Sequence, residues 1–188
     1  VAEGVVEPGD DEWGGARACD GVETSEKGQQ RTEVLGDAPE TEPIDGGGVA
    51  RHAVDRATGE FPTATVEASA PEDGVATASA TTWLSRAVDE LVRNAILHSD
   101  RDRPAVEVSV EADADAVRVR VADDGPGLTG MNRDVLVDGT AVDALYHGSG
   151  LGLWLVYWVV QQSGGSASVA DADPRGTVVT LTLPRAAD

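Results

Sequence analysis

At 188 residues the chain holds one domain of ordinary size, or a smaller one with a tail. Its 34 acidic against 14 basic residues give a formal net charge of -20, which repels nucleic acid and anionic lipid and argues against direct binding to either. A single cysteine, Cys19, excludes an intrachain disulfide and a cysteine-built metal cluster.

Lys27 is the only lysine. An acidic, lysine-poor surface rich in Asp, Ala and Val implies a protein that stays hydrated in concentrated salt, where screening removes much of its self-repulsion. No apolar run reaches the length of a membrane span, and the first residues are neither basic nor apolar like a secretion signal. A cytoplasmic location without membrane contact is therefore expected.

Residues 1–40 are rich in Gly, Glu, Asp, Gln and Thr, with scattered hydrophobes such as Val34 and Leu35 in no regular period. Such a segment buries too little apolar surface to offset its ordering entropy, and it is expected to be a disordered acidic tail in which Trp13 and Cys19 are incidental. Pro39, Pro43 and the run Gly46-Gly47-Gly48 mark the boundary, leaving residues 41–188 as the folded domain.

Val49, Ala50, Ala53, Val54 and Ala57 fall at helical spacing and predict a short helix ending at Gly59. Residues 63–69 and 75–80 read as strands of a hairpin around Pro71-Glu72-Asp73-Gly74. A long helix follows from about Thr82 to Ser99, capped by Thr81 or Thr82, with Leu84, Val88, Leu91 and Ala95 along one face. Glu90, Asn94 and His98, at intervals of four, form a stripe on another face; alone, such a trio reads as solvated polar surface.

Residues 104–111 and 115–122 alternate apolar and polar side chains, which predicts two half-buried strands turned near Asp113 and Ala114. The second runs directly into Asp123-Asp124-Gly125-Pro126-Gly127-Leu128. The stretch from there to His147 is long for a loop in a small domain and is expected to be a mobile lid.

The glycine-rich turn His147-Gly148-Ser149-Gly150-Leu151-Gly152-Leu153 then opens an apolar helix. Free N–H groups and the positive dipole end of that helix would face an anion such as phosphate, although glycines before a buried helix also serve as a plain cap. A P-loop is excluded because no Lys follows the last glycine, and a dinucleotide fingerprint because Leu153 stands where its third glycine belongs. After the break at Ser163-Gly164-Gly165, residues 166–171 and 176–183 predict a final antiparallel pair turned at Pro174-Arg175-Gly176. Three helices and six strands, in a mainly antiparallel sheet with the helices on one face, define a two-layer α/β sandwich.

Three motifs stand in order: Glu90-Leu91-Val92-Arg93-Asn94-Ala95 on a helix, Asp123-x-Gly125-x-Gly127 after a strand, and Gly148-x-Gly150-x-Gly152-Leu153 opening a helix. In order and spacing they resemble the N, G1 and G2 boxes of the GHKL ATPase superfamily. The ATP-binding catalytic domain of sensor histidine kinases is the most similar branch, its archaeal members especially. The resemblance implies a Bergerat-type fold and binding of ATP with Mg²⁺. Asn94 would offer a neutral oxygen to Mg²⁺, and Glu90 would order a water or act as a base. Asp123 would accept a hydrogen bond from the adenine amino group, while Gly125 and Gly127 let the backbone pass the purine. Gly148, Ser149, Gly150 and Gly152 would close around the phosphates, with Leu151 and Leu153 packing the loop. Arg93, Arg133 and His147 are candidates for neutralising phosphate charge; His98 is assigned no chemistry.

The chain also departs from that pattern. Asp124 stands where many relatives have Asn, the aromatic segment common in kinase lids is missing between Leu128 and His147, and residues 1–40 lack the amphipathic pattern of long dimerising helices. His52, the only upstream histidine, lacks the acidic neighbour of a phosphoacceptor. The expectation is a monomeric histidine kinase-type domain that phosphorylates a histidine outside this chain, within a response-regulator pathway. The alternatives are a stand-alone anti-sigma-like serine kinase and a regulatory module that binds nucleotide without transferring phosphate.

Overall fold

The computed structural model describes residues 40–72, 75–128, 130–140 and 151–187. The expected tail, with Trp13 and Cys19, lies outside the described residues, and the fold is that of the unit Pro39–Asp188. Its elements run β1 (Thr41–Asp45), α1 (Gly46–Glu60), β2 (Thr65–Ser69), β3 (Thr77–Thr81), α2 (Leu84–Leu97), β4 (Ala105–Ala112), β5 (Ala116–Asp123), α3 (Met131–Asp138), α4 (Leu151–Gln162), β6 (Ser166–Asp171) and β7 (Thr177–Pro184). The main sheet has five strands in the order β2-β4-β5-β7-β6, antiparallel except for the β2–β4 pair; β1 and β3 form a second, two-stranded sheet.

The fold is a two-layer α/β sandwich, produced by the alternation in its strands. Val106, Val108 and Val110 on β4, Val117, Val119 and Val121 on β5, and Val179, Leu181 and Leu183 on β7 are all buried. Between them Glu107, Arg118, Arg120, Thr180 and Thr182 lie on the open face. A period of two puts one set against the helices and the other toward water. The helices close the core with Ala50, Ala53, Leu84, Val88, Val92, Val156 and Val159.

Four departures from the sequence reading have physical causes. The hairpin of residues 63–69 with 75–80 does not form: β2 adds to the edge of the main sheet beside β4, and β3 pairs with β1, a strand unexpected in the boundary segment. The turn chemistry at Pro71 redirects the chain without dictating which strands pair.

The glycine run at the expected boundary is instead the first turn of α1. Asp45 caps it by accepting from the Gly47 N–H at 3.1 Å and the Gly48 N–H at 2.9 Å. A side chain at Gly46 would meet the Ala76 carbonyl oxygen and Val110, each at 3.1 Å.

Neither Thr81 nor Thr82 caps α2; Trp83 is its N-cap, with no side-chain cap bond. Thr81 is buried in β3, where its N–H donates to Ser163 Oγ at 3.1 Å.

The expected lid contains a fourth helix, α3, too polar and short to show a period. Val135 and Leu136, both fully buried, anchor it to the core, and Arg133 Nη2 ties it to the Val169 carbonyl at 2.6 Å.

Candidate functional site

Between α2, the end of β5, α3 and the start of α4 lies a cavity of ≈ 290 Å³ lined by Leu91, Asn94, Ala95, His98, Val121, Asp123, Pro126, Gly127, Leu128, Asn132, Leu153, Thr177 and Val179. Its size approaches that of small-ligand pockets, with a few polar groups set in apolar walls. Asn94 and His98 reach it from one face of α2 because they are a turn apart. Asp123 reaches it as the last residue of β5, where the strand ends and the loop turns over the cavity.

Asp123 is fixed by its own loop and by β7. Its Oδ1 accepts from the Gly125 N–H at 2.8 Å and the Thr177 N–H at 3.3 Å. Oδ2 is therefore the oxygen available to a ligand. Behind it, Gly176 has a φ of +113, and a side chain there would collide with the Asp123 carbonyl oxygen.

Asp124 turns away from the cavity. Its Oδ1 accepts from the Ala105 N–H at 3.1 Å and its Oδ2 lies 3.7 Å from Arg101 Nε, so its charge helps to hold the start of β4.

Asn94 carries no side-chain hydrogen bond among the described residues, which leaves its carboxamide for a ligand or metal. Glu90 lies one turn earlier, outside the cavity lining, and pairs with Arg86 at 2.7 Å. The two meet at Gly152, where an added Cβ would lie 2.8 Å from Glu90 Oε2 and 3.6 Å from Asn94 Nδ2. The start of α4 is thus pressed against both polar side chains.

Of the other expected site residues, Leu153 lines the cavity, Leu151 is 60% exposed and Gly125 sits buried behind Asp123. Gly148, Ser149 and Gly150, together with His147, lie outside the described residues. Two cationic candidates point elsewhere: Arg93 pairs with Glu60 and sits over the Phe61 ring, and Arg133 grips β6. Asn132 and Thr177 join the lining unannounced, because one belongs to the unforeseen α3 and the other reads as an ordinary strand residue. No group of three His, Cys, Asp or Glu side chains able to hold a metal occurs among the described residues. A Mg²⁺ ion that keeps most of its waters needs few protein oxygens, and the Asn94 carboxamide would supply one.

The cavity of this two-layer sandwich thus opens between a polar face of α2 and the strand-ending Asp-x-Gly-x-Gly loop. The chain belongs to the family of histidine kinase-, DNA gyrase B-, and HSP90-like ATPases, whose model matches residues 79–187. It is similar to the sensor histidine kinase CitA of Klebsiella pneumoniae, 33% identical over 95 residues that cover 50% of this chain and 17% of that protein. The chain therefore spans about a sixth of that relative's length. Among solved structures it is similar to the mycobacterial sensor histidine kinase MprB, 28% identical with a TM-score of 0.60, covering 78% of this chain and 100% of that one. The ATP-binding domain of PrrB from Mycobacterium tuberculosis shares the fold at 23% identity and a TM-score of 0.64, covering 79% of this chain and 99% of that one. Residues 79–187 thus form a histidine kinase-type ATP-binding domain. No helix among the described residues is long and apolar enough to cross a membrane.

Proposed function

We propose that this domain binds Mg-ATP in the cavity between α2 and the Asp123 loop and transfers the γ-phosphoryl group to a histidine on another domain or chain. The observation that carries the reading is that Asn94, Asp123, Gly127 and Leu153, drawn from three separate sequence motifs, line one cavity. Asp123 Oδ2 would accept the adenine amino hydrogen, which distinguishes adenine from guanine. Gly125 and Gly127 would pass the purine, and residues Gly148 to Gly152 would receive the phosphates with the help of the α4 dipole.

Asn94 would hold Mg²⁺, which when bound neutralises phosphate charge. Glu90, held by Arg86, would order a water beside Gly152. Catalysis of this kind consists of positioning and charge neutralisation rather than covalent chemistry by the protein. The acceptor would dock beside the phosphate end of the site, where Leu151 at the start of α4 is exposed. Residues 41–188 are read as the nucleotide-binding domain and 1–40 as an acidic tail. The domain is read as a monomer, the location as cytoplasmic, and the acid-rich composition as an adaptation of halophilic, archaeal origin.

Incubation with γ-labelled ATP and a histidine-bearing acceptor domain, followed by acid, tests the transfer. Label that is lost in acid and retained in base supports phosphohistidine. Acid-stable label on a protein partner would move the assignment to a serine kinase, and nucleotide binding with no transfer to any partner would leave a regulatory module.

A further inference from the structure

We infer that Arg175, in the turn between β6 and β7, is a positioning residue that holds the Asp123–Gly127 loop in register for base recognition; the inference rests on the reading of the cavity as a nucleotide site. Arg175 Nε donates to the Gly125 carbonyl at 3.0 Å. Its Nη2 donates to both carboxylate oxygens of Asp100, at 3.0 and 2.8 Å. One planar guanidinium thus spans the loop after α2 and the loop after β5, a fork geometry that an ammonium group does not reproduce. It also holds the Asp100 carboxyl below the usual carboxylate range.

The next two residues complete the grip. Gly176 packs beneath the Asp123 carbonyl and the Thr177 N–H reaches Asp123 Oδ1. Arg175-Gly176-Thr177 therefore holds the loop by one backbone carbonyl, one close backbone approach and one side-chain oxygen. Freed from Arg175, the Gly125 carbonyl and the Pro126–Gly127 wall behind the base lose their outer support. The Arg175–Asp100 pair is itself well exposed, at 38% and 53% of the side chains, and exposed pairs add little to global stability. Its contribution is expected in ligand affinity rather than in the melting temperature.

The test compares Arg175→Ala, Arg175→Lys, Asp100→Asn and Arg118→Ala for binding of Mg-ATP and of adenosine, with thermal melts and amide exchange alongside. Arg118→Ala removes another exposed ion pair, the one with Asp113 at 2.6 Å, and serves as the control for charge alone. Arg175→Ala is expected to weaken ATP and adenosine alike by about tenfold, with partial recovery in Arg175→Lys and faster exchange of the Gly125 amide. Asp100→Asn should weaken both less, and adding it to Arg175→Ala should have no further effect.

Wild-type affinity in Arg175→Ala, an equal loss in Arg118→Ala, or a loss for ATP without one for adenosine would each overturn the inference. If Arg175→Ala melts without cooperativity, Asp100→Asn decides, and unchanged adenosine affinity there counts against it. Failure of the wild-type chain to bind either ligand would sink the nucleotide reading instead, while exchange at Gly125 still reports whether the clamp holds the loop.

Discussion

Asp123→Asn keeps the shape of the side chain and changes its hydrogen-bonding character. In the native site Oδ1 is taken by the Gly125 and Thr177 amides, so Oδ2 alone is left for the ligand. Asparagine has one acceptor oxygen. If it occupies the Oδ1 position, an NH₂ donor faces the adenine amino group, donor against donor. If it flips, two backbone N–H groups confront the NH₂ instead. Either arrangement forfeits one charge-assisted hydrogen bond, worth about 1.5–3 kcal/mol. That corresponds to a loss of about 10- to 100-fold in ATP affinity. Competition against a fluorescent adenine nucleotide reads the affinity, and a circular dichroism spectrum and melt show that the fold persists. Discrimination between ATP and GTP should fall in the same variant. Unchanged ATP affinity with the fold intact would refute the assignment of Asp123 to the base.

Three further outcomes follow from the geometry. Asn94→Ala should abolish most of the Mg²⁺ dependence of ATP binding while leaving adenosine affinity near wild type, as titrations with and without the metal will show. Leu136 is fully buried and anchors α3, so Leu136→Ala should cost about 2–5 kcal/mol in chemical denaturation and loosen the wall that carries Asn132. Asp113 is held at a pKa of about 2, below its usual 3.8, by a hydrogen bond from Arg118 and by the Asp115 and Ala116 amides. A depressed carboxylate pKa stabilises the fold above the unfolded value, and that contribution fades as pH falls from about 4 toward 2. A carboxyl titration by NMR with its midpoint near 3.8 would contradict the ion pair.

The legibility of the sequence varied with the kind of signal. Alternation in residues 104–111 and 115–122 foretold β4 and β5 almost to the residue, because a half-buried strand must alternate. Periodicity likewise placed Asp123 at the end of a strand and Asn94 on a helix face, but that the two share a site was implied by the resemblance of their motifs to the GHKL boxes, not by spacing. Strand pairing was not readable in this way. A Pro-Glu-Asp-Gly turn between two short strands looks like a hairpin whether or not the strands pair, and the true partner of β3 was hidden in a segment dominated by prolines and glycines.

The first turn of α1 was obscured because three glycines ordinarily stop a helix; here Asp45 caps them and close packing at Gly46 requires at least one. In α3, Asn132, Arg133, Asp134 and Asp138 outnumber the two buried residues, so tertiary contact rather than periodicity makes the helix. Arg175 was visible only as part of a turn, since its two partners lie 50 and 75 residues away in the chain. Long-range polar contacts leave no local period to read.

The proposed adenine nucleotide site would take its metal ligand from α2 and its base ligand from the end of β5. Titration of the wild-type chain with ATP by calorimetry in concentrated salt, with and without Mg²⁺, tests it most directly. One ATP per chain should bind saturably, more tightly with Mg²⁺ than without it and more tightly than GTP. Absence of saturation at millimolar ATP, or equal affinity for ATP and GTP, would contradict it.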